Sequence, residues 1–158
     1  NIPASGPIRF SGIYGPFQDW NAKHIAALPN NATDILWTKP SNAASFWRVA
    51  ANNSIAFSAI YGPYAGWHCD AIGAGADGEV KLLWNNSNRA TSFWSVNNAG
   101  KITFSPIWGP YATWSPEAMA VTPDDTVRLL WDNDSNQTSY WTVTPSLSIT
   151  FSATFGPT

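Results

Sequence analysis

Charge, cysteine and long apolar runs are all scarce in this sequence. Only 11% of its 158 residues are charged, and the formal net charge is −2, so neither nucleic acid nor an anionic membrane surface is favoured as a partner. The single cysteine, Cys69, excludes an intrachain disulfide and a cysteine-based metal cluster. No apolar run approaches the roughly 20 residues of a membrane span. Low charge together with abundant Asn, Ser and Thr favours a secreted or cell-surface protein.

Aromatic residues, in contrast, are abundant. Ten Trp, five Tyr and eight Phe make up 15% of the chain. A core does not easily accommodate ten indoles, because each buried indole N–H needs a hydrogen-bond acceptor. Some of these rings are therefore expected at the surface or in a binding site.

One strand-and-turn segment occurs four times. It reads IRFSGIYGPFQDW from Ile8, IAFSAIYGPYAGW from Ile55, ITFSPIWGPYATW from Ile102 and ITFSATFGPT from Ile149, so the period is 47 residues. A fixed period of this length indicates a repeat architecture. Two further tryptophan columns, which we expect in the core, keep the same step: Trp37, Trp84, Trp131 and Trp47, Trp94, Trp141.

Each repeat is predicted to be four short antiparallel strands. In the middle repeat we expect strands at 67–76, 79–86, 91–96 and 101–108, with Asp77-Gly78 as a hairpin turn. No stretch sustains a helical period. The prediction is an all-β fold of thirteen strands in a single repeat domain, 1–158. Its parts are a leading extra strand and Gly-Pro loop (1–19) and repeats at 20–66, 67–113 and 114–158.

Two architectures use three four-stranded units. One is a β-trefoil, which a single chain completes as a monomer; the other is a set of β-propeller blades, which needs at least four units and hence a second chain. The strand pair AxAVxxDxxVRLLW, from Ala118 to Trp131, resembles the lectin-like β-propeller repeats of tachylectin-type and fucose-lectin-type proteins. That resemblance implies propeller blades, glycan ligands and a ring assembled from several chains. We expect a homodimer with six blades.

Residues for catalysis do not converge. His24 and His68 fall in different columns of the repeat, and the neighbours His68 and Cys69 point to opposite faces of a strand. No carboxylate pair recurs with the repeat, which argues against a hydrolase. The Gly-rich segment 73–78 ends a strand and opens no helix, so it is no dinucleotide site. We predict no enzyme activity, no cofactor and no metal site.

The recurring aromatic loops are the candidate site. In a four-stranded meander, the Gly-Pro loop shares one end of the sheet with the loop between the second and third strands, which is rich in amides. This composition predicts a shallow, repeated glycan site between neighbouring units. The stacking rings would be Tyr64, Trp67, Tyr111 and Trp114, with Phe17 and Trp20 as a weaker copy, and the hydroxyl-binding residues would be Asn85, Asn86, Asp132 and Asn133.

A second interpretation of the same rings remains open. The aromatic residues after each Gly-Pro would then hold one repeat against the next, as repeat proteins require. The chain would be a structural or protein-interaction module without sugar binding.

Overall fold

The computed structural model describes residues 12–156, which form an all-β fold. Three antiparallel sheets follow one another along the chain, with no helix in the described part. Sheet A contains β1 (Asn21–Ala27), β2 (Thr33–Thr38), β3 (Ala44–Val49) and β4 (Ile55–Tyr61). Sheet B contains β5 (Trp67–Ala74), β6 (Val80–Asn86), β7 (Thr91–Val96), β8 (Ile102–Phe104) and β9 (Ile107–Trp108). Sheet C contains β10 (Trp114–Val121), β11 (Val127–Asn133), β12 (Thr138–Val143) and β13 (Ile149–Phe155).

The hairpin turns adopt the backbone conformation that their sequences predict. Asn31, Gly78 and Asp125, at equivalent positions after the first strand of each sheet, have φ values of 61°, 71° and 63°. Asn, Asp and Gly tolerate this left-handed region better than other residues. Each sheet therefore begins with a tight hairpin. The following pairs are antiparallel and join strands that are neighbours in sequence, except that β9 pairs with β7.

The fourth strand of the middle repeat differs from the prediction. The sequence pattern gave one strand over 101–108, but the structure has β8 and β9 separated by two residues. Pro106 lies in this gap, where the other repeats have Ala59 and Ala153. Proline has no N–H to donate to the sheet, so the strand is interrupted there.

The predicted leading strand is only partly within the described residues. Residues 8–11 lie outside them, and residues 12–20 contain no strand. The described count of thirteen strands therefore arises from the division of one predicted strand into two. Tyr14 nevertheless packs edge-on against Trp47 with ring centroids 6.1 Å apart, as Tyr61 does against Trp94 at 5.8 Å.

The core lies in two layers, one on each face of sheet B. Between sheets A and B the largest buried side chains include Leu36, Phe46, Leu82 and Trp84. Between sheets B and C they are Leu83, Phe93, Leu129 and Trp131. The first strands lie side by side, because β5 contacts both β1 and β10. Sheet B is consequently covered on both faces, and six of the seven residues of β6 are buried.

Sheets A and C each keep one uncovered face. At one repeat position, Leu36 and Leu83 are fully buried while Leu130, on sheet C, is 39% exposed. On the opposite side of the molecule, Ile25 of sheet A is 72% exposed, whereas its equivalent Ile72 is 5% exposed. The exposed faces of the two outer sheets thus carry the repeat equivalents of side chains that form the two internal interfaces.

One buried ion pair joins the strands of sheet A. Asp34 is fully buried, and Arg48 on the neighbouring strand donates to both of its carboxylate oxygens at 2.8 Å. Arg48 also donates to the Gly78 carbonyl of sheet B at 2.9 Å. The guanidinium therefore links two sheets while it compensates a buried carboxylate.

Candidate functional site

The same cluster of three aromatic rings occurs in each repeat. The ring after Gly-Pro stands nearly perpendicular to two tryptophans of the following sheet. Tyr64 lies with its centroid 5.6 Å from both Trp84 and Trp94, and Tyr111 lies 5.6 Å from both Trp131 and Trp141. Such edge-to-face contacts are favourable for aromatic pairs. The rings predicted to stack on a ligand thus also pack against the core.

In sheets A and B this cluster borders an open cleft, here called the aromatic cleft. The cleft of sheet B has a volume of about 200 Å³ and that of sheet A about 100 Å³. The first is lined by Tyr64, Trp67, Trp84, Ser92, Trp94, Ser105 and Ile107. The second is lined by the equivalent residues Phe17, Trp20, Trp37, Ser45, Trp47 and Ile60.

The aromatic cleft of sheet B combines exposed ring surface with a fixed floor. Tyr64 is 38% exposed, and Trp67 and Trp94 are half-buried, whereas Trp84 is buried. Trp94 donates its indole N–H to Ser92 Oγ at 3.0 Å, and Ser92 in turn donates to the Pro106 carbonyl at 2.7 Å. These bonds hold the orientation of the rings. The hydroxyl of Tyr64 has no hydrogen-bond partner within residues 12–156.

Three equivalent indoles have a buried N–H group that is unpaired within residues 12–156. Trp37, Trp84 and Trp131 have no acceptor for Nε1 within the described part of the chain. Each lies 5.6 Å from the ring that follows a Gly-Pro pair, in a nearly perpendicular arrangement. The expectation that the column is core is met for Trp84 and Trp131, at 1% exposure, while Trp37 is half-buried because no sheet covers it.

A second kind of cleft, here called the polar cleft, lies between neighbouring sheets. The B–C polar cleft has a volume of about 560 Å³ and the A–B polar cleft about 320 Å³. The first is lined by His24, His68, Asp70, Asn85, Asn86, Ser87, Arg89, Ala90, Ser115, Pro116 and Glu117. The second is lined by Asn21, Lys23, Thr38, Lys39, Pro40, Asn42, Ala43, His68, Cys69 and Asp70. Apart from His24, the two sets occupy equivalent repeat positions.

A β-bulge shapes both polar clefts. The first strand of each sheet has a register shift at the same repeat position, which holds Lys23, Asp70 and Glu117. A bulge re-aims side chains and strengthens the local twist. Asp70 accepts a hydrogen bond from Asn85 Nδ2 at 2.6 Å, and its carboxylate lies 3.2 Å from Nε2 of His68.

The structure divides the predicted site between these two kinds of cleft. Tyr64 and Trp67 line the aromatic cleft of sheet B, and Phe17 and Trp20 that of sheet A. Asn85 and Asn86 line the B–C polar cleft instead. Trp84 and Asn85 are neighbours on β6 and face opposite sides of the sheet, and they line different clefts.

The remaining predicted residues lie in sheet C. Tyr111 and Trp114 pack against the core between sheets B and C. Asp132 accepts from Thr138 Oγ1 at 2.6 Å, and Asn133 bonds within its own turn, to the backbone N–H groups of Ser135 and Gln137. Much of their hydrogen-bonding capacity is thus used inside the protein.

The expected meeting of the two loops is confirmed. The N–H of Ser87 donates to the Gly66 carbonyl at 2.9 Å, and the N–H of Asp134 donates to the Thr113 carbonyl at 3.1 Å. The Gly-Pro loop and the amide-rich loop therefore share one end of the sheet, as the meander topology requires. They pack directly on each other through the backbone.

Two side chains near the clefts have shifted pKa values. Burial, and to a lesser degree Tyr64, raises the pKa of Tyr61 to about 12, and its hydroxyl donates to the Gly100 carbonyl at 2.9 Å. Burial, with the neighbouring Asp70, raises the pKa of the Cys69 thiol well above its usual range.

Within residues 12–156, no group of three or more His, Cys, Asp and Glu side chains is placed to hold a metal ion. Nor does that part contain a helix able to cross a membrane.

The chain was compared with known families, proteins and structures. No protein-family model and no curated protein matches the chain. Among solved structures, the fold is similar to that of a protein of unknown function from Bacteroides caccae, with a TM-score of 0.56 and 15% sequence identity. The match covers 92% of this chain and 50% of that protein, so this chain spans about half the length of its relative. The similarity is one of overall fold and is consistent with the all-β repeat architecture described above.

Proposed function

We propose that the protein binds carbohydrates through its repeated aromatic clefts. The observation that carries this proposal is the cleft of sheet B, about 200 Å³ in volume, in which exposed rings surround a rigid tryptophan floor. Sugar rings present flat C–H faces that pack on indole and phenol rings. The unpartnered hydroxyl of Tyr64 adds a group that can bond a sugar hydroxyl at the same place.

Each site is weak by this reasoning. A contact with one aromatic ring contributes about 0.5–1.5 kcal/mol beyond the area it buries, and an open cleft offers two or three rings. Useful affinity then requires several sites that engage one glycan surface at once. The equivalent cleft of sheet A, where Phe17 stands in place of Tyr64, provides the ring without the hydroxyl and binds less tightly.

The direct experiment is a glycan array followed by titration of the best ligand. Tyr64→Phe keeps the edge-to-face packing and makes sheet B resemble sheet A, so it should weaken binding a few-fold without unfolding. The double variant Tyr64→Ala, Tyr111→Ala should weaken binding further. If both variants bind every ligand as the wild type does, the site lies elsewhere.

We also propose that each sheet is a blade of a β-propeller and that two chains complete one six-bladed ring. Support comes from the three separate sheets, which pair only their own strands within residues 12–156, and from first strands that lie side by side. A trefoil would need strand pairing between repeats. The complementary exposed faces at Ile25 and Leu130 fit an interface with a second copy, and the structural relative is about twice as long.

Closure of the six-bladed ring requires a change in the contacts of Trp47. In the repeat, Phe155 of sheet C is equivalent to Tyr61 and would pack on Trp47 of a partner. Tyr14 of the same chain already contacts Trp47. Tyr14 and the partner's Phe155 would therefore occupy the same position against Trp47, so Tyr14 must leave that position when a ring forms. Light scattering decides the matter: a strict monomer at micromolar concentration contradicts the ring.

A structural or protein-interaction module is the second candidate function. The edge-to-face packing of Tyr64 and Tyr111 on buried tryptophans favours it. Under this alternative the double alanine variant unfolds or loses several kcal/mol of stability, and the wild type binds no glycan on the array. A secreted or cell-surface location is part of the glycan-binding proposal, and the low charge of the chain supports it.

A further inference from the structure

The two polar clefts are lined by equivalent repeat positions but carry formal charges of opposite sign. At equivalent positions, Lys23 of the A–B polar cleft corresponds to Asp70 of the B–C polar cleft, and Lys39 corresponds to Asn86. With histidine neutral, two lysines face one carboxylate in the A–B polar cleft, so its formal charge is +1. Arg89 faces Asp70 and Glu117 in the B–C polar cleft, so its formal charge is −1.

The positive charge of the A–B polar cleft is not neutralised by ion pairs within residues 12–156. Lys23 is exposed at the bulge of β1, and its ammonium group makes no hydrogen bond or ion pair within residues 12–156. The carboxylate of Asp70, in contrast, is engaged by Asn85 and by His68. The cleft therefore offers at least one free ammonium group next to a carboxylate that already has partners.

Neutral polar groups complete the lining. Asn21, Asn42 and Thr38 present amide and hydroxyl groups around the two lysines. Lys39 lies with its ammonium 4.9 Å from the centroid of Trp20, which also lines the aromatic cleft of sheet A. The A–B polar cleft is thus a concave site of about 320 Å³ with cations, hydroxyl-binding groups and an aromatic neighbour.

We infer that the A–B polar cleft binds the carboxylate-bearing residue of an acidic glycan, such as a uronic acid. This inference rests on the proposed glycan-binding function and assigns a second kind of site to it. The lysines would pair with the carboxylate, while the asparagine amides bind the ring hydroxyls. The equivalent B–C polar cleft carries Asp70 and Glu117, and it rejects the same ligand by like-charge repulsion.

The experiment compares two ligand pairs that differ only at the carboxylate. Methyl glucuronide and methyl galacturonide are titrated against methyl glucoside and methyl galactoside at low salt, with the side-chain amide resonances of the wild-type protein as the readout. Asn21 and Asn42 report on the A–B polar cleft, and Asn86 and Asn88 report on the other side of sheet B. At least one uronide should bind more tightly than its neutral partner, with shifts at Asn21 and Asn42.

Charge variants then assign the preference to the cleft. Lys23→Gln and Lys39→Gln should each reduce uronide affinity about two- to fivefold, the range expected for exposed ion pairs, with little effect on the neutral sugars. Lys101→Gln is the matched control, because Lys101 is an exposed lysine on the turn between β7 and β8 and lines neither polar cleft. It should leave the preference unchanged, and added salt should weaken the preference.

The results separate this inference from the proposed function. Equal affinity for uronides and neutral sugars overturns the inference, as does a preference that survives the loss of both lysines or that falls equally with Lys101→Gln. In those cases binding of the neutral sugars still upholds the proposed function. If neither a glycoside in this experiment nor a glycan on the array binds, the proposed function fails as well.

Discussion

One repeat position provides a test of how the sheets are packed. Leu36, Leu83 and Leu130 are equivalent, and the structure exposes only the last of them, by 39%. Leu83 is fully buried between sheets B and C, where it packs with Phe93 and Leu129. Truncating such a leucine removes its transfer free energy and leaves a cavity. Leu83→Ala should therefore lower the free energy of unfolding by about 3 kcal/mol, within the range of about 2–5 kcal/mol for core leucines.

Leu130→Ala gives a different result for a single chain and for a closed ring. In the single chain the side chain is partly in water and has room to relax, so the loss should be about 1 kcal/mol. In a ring, the second copy would cover Leu130 as sheet C covers Leu83. The loss should then approach that of Leu83→Ala and should grow with protein concentration, because assembly stabilises the folded state by mass action.

Urea denaturation at two protein concentrations, followed by tryptophan fluorescence, measures both variants. A loss below about 1 kcal/mol for Leu83→Ala would refute the packing of sheet B against sheet C. If Leu130→Ala costs about 1 kcal/mol at every concentration and the wild-type midpoint is also constant, the six-bladed ring is contradicted while the three-sheet fold stands.

Three further predictions concern buried polar groups. Asp34→Asn should cost about 3 kcal/mol in urea denaturation, because it leaves Arg48 without its buried partner. The pKa of Tyr61 is raised to about 12, so its neutral form stabilises the fold fully below pH 10, and stability should fall as the pH rises from 10 to 12. Tyr61→Phe should lack this contribution and should also lose about 1 kcal/mol, the worth of the bond to Gly100. Cys69, which is buried with a raised pKa, should react with a thiol reagent only in denaturant, and prompt labelling of the native protein would contradict its burial.

Much of the fold could be predicted because each repeat has the same sequence pattern of strands and turns. The 47-residue period predicted the strand order, and Asp77-Gly78 predicted the hairpin turn at which Gly78 has a left-handed φ of 71°. Pro106 also signals the break between β8 and β9, since its two equivalents are alanines. The closure of a six-bladed ring and the role of the leading extra strand could not be predicted from the repeat pattern. Tyr14 and Phe155 occupy the same position in the repeat, so the pattern does not distinguish which of them packs against Trp47.

The composition of the candidate site was harder to predict. Strand alternation places Trp84 and Asn85 on opposite sides of β6, and in the structure the rings and the amides line separate clefts. The polar clefts depend on the bulge at Lys23, Asp70 and Glu117, which share no residue type. A bulge is a change of backbone register that many side chains accommodate, so the sequence pattern gave no signal of it.

The central claim, that sugars stack in the aromatic cleft of sheet B, is tested most directly by the indole N–H resonances of the protein. Titration with the best glycan from the array should shift Trp67 and Trp94, which line the cleft, and should leave Trp131 unchanged. Tyr64→Phe should reduce the affinity while the spectrum remains that of the folded protein. The account is contradicted if a glycan binds and neither Trp67 nor Trp94 responds, or if no glycan binds at all.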